Sequence, residues 1–161
     1  MKYLFYSVLF LFASCNKTSK SITVPQQKQD VSGVIISYQA TACFGKCPVF
    51  NMTINGSAQT ITYSGRMNVE KIGVYTRHYE ADSIAALVTA FESAHFFELN
   101  EKYLGKVVDY PSVITSYSNN GKSKTVTDRV DGPPQLKALE NRLYILSNSQ
   151  GWTKTEKPEE K

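Results

Sequence analysis

Apolar residues recur along the chain with two different periods, and each period predicts a different kind of element. Val34, Ile36 and Tyr38 alternate with other residues, which is the two-residue period of a strand with one buried face. The same alternation returns five times: at Phe50, Met52 and Ile54, at Ile61 and Tyr63, in the segment 74–78, at Val113, Thr115 and Tyr117, and in the segment 124–130. These runs predict about six strands.

Two Asn-Gly pairs separate neighbouring strand runs, Asn55-Gly56 and Asn120-Gly121. Asn-Gly is typical of the two-residue type I′ hairpin turn, because both of its central residues need a positive φ. The pairs therefore predict two tight hairpins, and with them antiparallel strands.

A helical period appears at Ile84, Leu87, Val88 and Phe91, which are spaced i, i+3, i+4 and i+7. Asp82 precedes this stripe and is a candidate N-cap. A second stripe follows Asp131-Gly-Pro-Pro, whose prolines suit the first turn of a helix. Its predicted inward residues are Leu136, Leu139, Leu143 and Leu146.

Strand runs, a helix, a strand pair and a second helix thus follow one another along the chain. Because consecutive strands are joined by short turns, the sheet should be mainly antiparallel, with both helices packed on one face. The sequence predicts an α+β fold with a sheet of about six strands.

The N-terminus has a different character. Lys2 is followed by an apolar run, residues 3–12, which is too short for the roughly 20 residues that a membrane-spanning helix needs. Its length suits the core of a signal peptide, here predicted at 1–14. The polar segment 15–30 then predicts a flexible tether, 31–152 a single domain, and 153–161 a disordered charged tail.

The end of the apolar run, Phe12-Ala13-Ser14-Cys15, resembles the lipobox of bacterial lipoproteins. The resemblance implies cleavage before Cys15, a thioether-linked diacylglycerol on its sulfur and an acylated new N-terminus. Several acyl chains anchor a protein stably, since each buried methylene contributes about 0.8 kcal/mol. We therefore expect an exported protein of the cell envelope, lipid-anchored to the inner or outer membrane.

Composition narrows the range of partners. The formal net charge is only +4, and 20% of the residues are charged. The lysines and arginines are scattered, whereas a nucleic-acid-binding domain carries a basic stripe or face. We expect no nucleic-acid partner, and instead the membrane and an envelope protein or a glycan.

One local motif stands out, the segment Cys43-Phe44-Gly45-Lys46-Cys47-Pro48. If Cys15 carries lipid, Cys43 and Cys47 remain as an even pair, for which a disulfide is the default in an oxidising compartment. In an extended strand their Cα atoms would be about 13 Å apart, more than the roughly 4.4–6.8 Å of a disulfide. A bridged pair therefore requires a compact turn, which Gly45 would ease, while Pro48 suits the first position of the following strand.

Two other uses of these cysteines stay open. A redox-active pair usually has two intervening residues within a βαβ unit, and here there are three and no such unit. A metal site would need further ligands, and only His78 and His95 offer imidazoles. Pro48 occupies the position where covalent haem attachment needs a histidine. We predict a structural disulfide, no metal and no cofactor.

The same motif resembles the signature of an uncharacterised family of bacterial envelope lipoproteins, Cys-Phe-Gly-x-Cys-Pro-x-Tyr, with Phe50 in place of the tyrosine. The likeness spans about 33–147 and includes Tyr63-Ser64-Gly65, the segment 96–103, Asp109-Tyr110-Pro111 and Gly132-Pro133. The resemblance implies a shared fold and an envelope location, and it brings no activity.

Catalytic candidates do not converge in the sequence. They are His78 with Asp82 and Ser64, the lone residues His95 and Asp109, and a possible anionic pocket of Arg66, Arg77 and Arg129. We therefore predict no catalytic residues and favour a non-catalytic binding module. The alternatives are a thiol-disulfide or metal-handling protein that uses Cys43 and Cys47, and a small envelope hydrolase.

Overall fold

A computed structural model describes residues 29–155, which form one eight-stranded sheet and two α-helices. The predicted signal peptide, Cys15 and residues 16–28 of the tether lie outside this range, as do residues 156–161. The strands are β1 (Ile35–Ala40), β2 (Val49–Asn55), β3 (Thr60–Met67), β4 (Gly73–His78), β5 (Lys102–Tyr103), β6 (Val113–Asn119), β7 (Lys122–Asp128) and β8 (Thr153–Lys154); the helices are α1 (Ala81–Ser93) and α2 (Pro134–Ser147).

The strand order across the sheet is β5-β7-β6-β1-β2-β3-β4-β8. Every pair is antiparallel except β5 with β7. The predicted α+β class is thus confirmed. Six long strands match the predicted runs, and the other two, β5 and β8, are two-residue edge strands that are too short to show a period.

Both helices cover one face of the sheet, and the core lies between the two layers. Ile36, Ile54 and Ile61 lie side by side on β1, β2 and β3 and are fully buried. The ring of Phe91 on α1 packs 4.6 Å from the ring of Tyr117 on β6. Burying each such side chain contributes about 1.5–3 kcal/mol, which ties the helices to this face.

The first predicted hairpin turn is wrong. Asn55 pairs with Thr60, so four residues connect β2 to β3, and the positive φ falls on Gln59, at 49°. The Gly56 N–H instead donates to the Val34 carbonyl oxygen at 2.8 Å, and a Cβ at Gly56 would lie 1.8 Å from the Val31 oxygen. This glycine is there because another backbone segment approaches it, not because of its φ.

The second predicted turn is confirmed. Asn119 pairs with Lys122, and the two residues between them, Asn120 and Gly121, have φ of 49° and 75°. Nothing lies within 4 Å of a Cβ built at Gly121. Here the local preference of Asn-Gly decides the turn because no other segment competes for it.

The predicted N-cap of α1 is also wrong. The helix begins at Ala81 with Glu80 as N-cap residue, and no side chain caps it. Asp82 lies inside the first turn, where a carboxylate favours the positive end of the helix dipole.

The ordered domain reaches past the predicted boundary at Trp152. Thr153 and Lys154 were expected in the disordered tail but pair with Thr76 and Tyr75 of β4. The indole ring of Trp152 packs 5.5 Å from the ring of Tyr63, which brings the following residues alongside β4. None of the helices within residues 29–155 has the length and apolarity to cross a bilayer.

Candidate functional site

The cysteine motif forms the connection between the two central strands, β1 and β2. Cys43 and Cys47 are joined in a disulfide, with their Cα atoms 5.7 Å apart, within the usual range of about 4.4–6.8 Å. The Gly45 N–H donates to the Cys43 sulfur at 3.2 Å. Gly45 does not have a positive φ, and a Cβ there would meet only that sulfur, at 3.8 Å. The turn therefore does not require glycine, contrary to the role expected for Gly45.

Polar contacts fix this disulfide loop, residues 41–48, at both ends. At its start, the Thr41 N–H donates to the Ser112 carbonyl oxygen at 3.0 Å, and the Ser112 N–H donates to the Thr41 hydroxyl at 2.7 Å. At its end, the Asn68 amide donates to the Cys47 carbonyl oxygen at 3.0 Å. Hydrogen bonds to other segments of the chain therefore hold the loop in place, in addition to its disulfide.

A second loop, residues 104–111, lies beside the disulfide loop. Arg129, directly after β7, holds it, since its guanidinium donates to the Val107 carbonyl oxygen at 2.9 Å and to the Ser112 hydroxyl at 3.3 Å. Gly105 has φ 59°, and a Cβ there would lie 2.3 Å from the Val130 side chain. This packing gives the second loop a defined position next to Cys43.

The two loops present large apolar side chains to solvent. Phe44 is 93% exposed, Val108 78% and Tyr110 59%. They surround a shallow recess of about 220 Å³, which Ala42, Cys43 and Asp109 also line. We call Phe44, Val108 and Tyr110 the loop patch. A phenylalanine can bury about 150 Å² or more of surface. Because Phe44 is held exposed on a constrained loop, a partner that covered it would gain the favourable free energy of burying this area.

The catalytic candidates do not come together. His78 pairs with Glu80, with 3.1 Å between Nε2 and Oε1, and both side chains are largely exposed. Ser64 lies opposite Val74, four residues from His78 along β4, which is about 13 Å. His95 lies 3.5 Å from Glu98 on the surface. No triad is formed by these residues.

The three arginines do not form a pocket either. Arg77 on β4 donates to the Ser149 hydroxyl at 2.6 Å and to the Gln150 carbonyl oxygen at 2.8 Å. Arg129 follows β7, which is five strands away across the sheet, about 24 Å. The guanidiniums of Arg77 and Arg129 thus hold two separate loops. Within residues 29–155, no three His, Cys, Asp or Glu side chains meet as metal ligands would.

A buried polar cluster was not predicted from the sequence. Asp128 on β7 is 1% exposed, and Glu140 on α2 is 6% exposed. Asp128 accepts a hydrogen bond from the Gly132 N–H at 3.1 Å and forms an ion pair with Lys137. The sequence pattern could have indicated this cluster, because Glu140 lies four residues after Leu136 and therefore on the inward stripe of α2.

Burial raises the pKa of Glu140 to about 8, and the negative charge of Asp128 adds to the effect while Lys137 opposes it. A protonated Glu140 can donate to Asp128, so one proton and one lysine neutralise the two carboxyls. Burial likewise raises the pKa of Tyr38, with Glu140 as a further cause. The cluster is enclosed, and the loop patch is the more accessible of the two sites.

Comparison with known protein families identifies the family of this domain. The model of a domain of unknown function, DUF6438, covers residues 34–146. This range contains the disulfide loop, the second loop, α1 and all of α2 except its last residue. No curated protein matches the chain.

Proposed function

Because the chain belongs to the DUF6438 family, a domain of unknown function, we propose its role from its own geometry: a non-catalytic binding module, lipid-anchored in the bacterial cell envelope, that holds a partner protein at the loop patch. The observation that carries the proposal is the 93% exposure of Phe44 on a bridged loop.

The patch has the features of a binding hot spot. Aromatic side chains dominate hot spots, and rigid positioning before binding lowers the entropy cost of association. Phe44 and Tyr110 supply the aromatic area, while the bridge, Thr41 and Arg129 supply the rigidity. Asp109 at the recess offers a polar contact for orientation.

The membrane part of the proposal rests on the sequence of the N-terminus. The apolar run before Cys15 supports export, and the lipobox-like residues support lipidation. A lipid anchor would restrict the domain to the membrane surface and raise its local concentration near envelope partners. Nothing in residues 29–155 favours thiol exchange, metal handling or hydrolysis over binding.

The test compares Phe44→Ala with a matched surface change, Ile145→Ala on α2, where the side chain is 61% exposed and lies outside the patch. Full-length chains are cross-linked in living cells that produce them, and captured proteins are quantified by mass spectrometry. Truncating a hot-spot aromatic costs about 2 kcal/mol or more, so Phe44→Ala should lower capture of the partner by about 30-fold.

Ile145→Ala should leave the same capture unchanged. Equal capture by all three chains, or equal loss in both variants, would contradict a binding role for the patch.

A further inference from the structure

The face of the sheet opposite the helices is a second candidate surface, separate from the loop patch. The six long strands direct alternate residues to this side, and cross-strand pairing arranges eighteen of them in three rows. We call this surface the outer sheet face. The middle row contains Thr125, Ser116, Ser37, Thr53, Thr62 and Thr76, each paired with the next.

The middle row is made only of hydroxyl side chains. It runs without interruption from β7 to β4, and Thr153 on β8 extends it by one strand. At about 4.8 Å per strand, the distance from Thr125 to Thr76 is about 24 Å. All of these residues are exposed or half-exposed, so their hydroxyls can reach a ligand.

The flanking rows are almost as uniform. One contains Ser123, Ser118, Ile35, Asn55, Thr60 and His78. The other contains Thr127, Ile114, Gln39, Asn51, Ser64 and Val74. None of these positions is Asp, Glu, Lys or Arg, and the one titratable group, His78, lies at a corner beside Glu80. Fixed charges lie beside the rows: Arg66 follows Ser64 by two residues on β3, and Lys102 on β5 pairs with Thr127 at the end of one flanking row.

Strand propensity explains only part of this pattern. Threonine favours strands, which accounts for its frequency here. Propensity does not exclude charged residues, because oppositely charged cross-strand pairs stabilise exposed sheets. In a chain that is 20% charged, exposed positions should carry most of the charges, yet the three rows carry none, and Arg66 is the one charged residue that the six long strands add to this face.

We propose that the outer sheet face binds a neutral polysaccharide, extended along the middle row and across the strands. Charge complementarity selects it, since a neutral sugar chain presents no charge to compensate and the three rows provide none. Each serine and threonine hydroxyl both donates and accepts, as sugar hydroxyls do. The strand spacing is also close to the length of one sugar ring in an extended chain, so successive rings would meet successive strands.

The side chains present fit other occupants less well. A protein interface needs an apolar or aromatic centre. The apolar residues in these rows are Ile35, Ile114 and Val74, which lie apart from one another in the two flanking rows. The hydroxyls of Ser116 and Thr125 already share a hydrogen bond of 2.8 Å and keep further capacity for sugar hydroxyls. Nucleic acids and anionic glycans would find no cations along the three rows, and only Arg66 and Lys102 beside them.

The test is sedimentation of the purified full-length chain with insoluble cellulose and insoluble chitin. Wild-type protein should sediment with at least one of the two polymers, and soluble alginate, which is anionic, should not compete. Thr53→Lys places a charge in the middle row and should lower the bound fraction at least tenfold. Thr53→Ala removes only the hydroxyl and should lower it about threefold.

Thr89→Lys on the exposed side of α1 is the matched control and should bind as wild type does. Thermal unfolding shows that each variant is folded before its binding is compared. Failure of the wild type to sediment with either polymer would overturn the inference. So would equal losses in Thr53→Lys and Thr89→Lys, or a wild-type dimer that Thr53→Lys separates without any polymer binding. These outcomes are independent of cross-linking at Phe44.

Discussion

Glu140 occupies a position that helical periodicity assigns to an apolar residue. It lies between Leu139 and Leu143 on the inward side of α2, and it is 6% exposed. Its ionisation would leave a second negative charge beside Asp128 in a site of low polarity. The raised pKa, about 8, follows from that environment, and the folded protein holds this carboxyl protonated at neutral pH.

The protonation of Glu140 predicts how stability depends on pH. Its pKa is about 8 in the folded state against a usual 4.5, so the folded state binds more protons between these values. This contribution is fully present below about pH 4.5 and is lost as the pH rises through about 8. The slope for one group is at most about 1.4 kcal/mol per pH unit.

Glu140→Gln should remove this dependence, because an amide stays neutral and can still donate to Asp128. Urea unfolding from pH 5 to pH 8 should show that the free energy of unfolding of the wild type falls by a few kcal/mol relative to that of the variant. Glu70→Gln, a change at an exposed position, should leave the pH dependence of the free energy of unfolding as in the wild type. Identical pH profiles for wild type and Glu140→Gln would contradict a protonated carboxyl at this position.

The connections between strands show what a local pattern can and cannot decide. Two identical Asn-Gly pairs have different outcomes, a two-residue turn at Asn120-Gly121 and a four-residue loop at Asn55-Gly56. The difference lies in tertiary contacts, because the backbone of residues 31–34 packs against Gly56 and nothing packs against Gly121. Sequence periodicity located the long strands and both helices, while such long-range contacts decided the loops.

Two glycines in strand connections should respond very differently to alanine. Gly56→Ala would place a Cβ 1.8 Å from the Val31 oxygen, so the β2–β3 loop must shift and the free energy of unfolding should fall by about 2–3 kcal/mol. Gly45→Ala meets only the Cys43 sulfur at 3.8 Å and should change it by less than about 0.5 kcal/mol. Urea unfolding of both variants at one pH measures the difference. Equal effects would show that close backbone approach does not govern Gly56.

The candidate site was predictable only in part for the same reason. The cysteine spacing indicated a compact turn before a strand, which is where the bridged loop lies. The exposure of Phe44 and the neighbouring position of Val108 depend on contacts between segments about 70 residues apart, such as Thr41 with Ser112. Local periodicity carries no information about such pairs.

At the scale of the whole molecule, the sequence predicts that Cys15 has a separate fate from the bridged cysteines. Intact-mass analysis of chain purified from bacterial membranes should show cleavage before Cys15 and added mass from acyl chains. Cys15→Ser should remove the added mass and release the protein from the membrane fraction, whereas Lys20→Ser should change neither. An unprocessed wild-type chain without lipid would contradict the envelope proposal.

The short edge strands would have a consequence on a membrane surface, where the proposed lipid anchor would hold many copies close together. Long unpaired edges act as templates on which other chains add strands. Here β8 covers part of β4 at one end, and β5, with Lys102, covers part of β7 at the other. Copies confined to two dimensions would collide edge to edge far more often than copies free in solution. The two-residue edge strands would therefore limit the pairing of neighbouring copies into one continuous sheet.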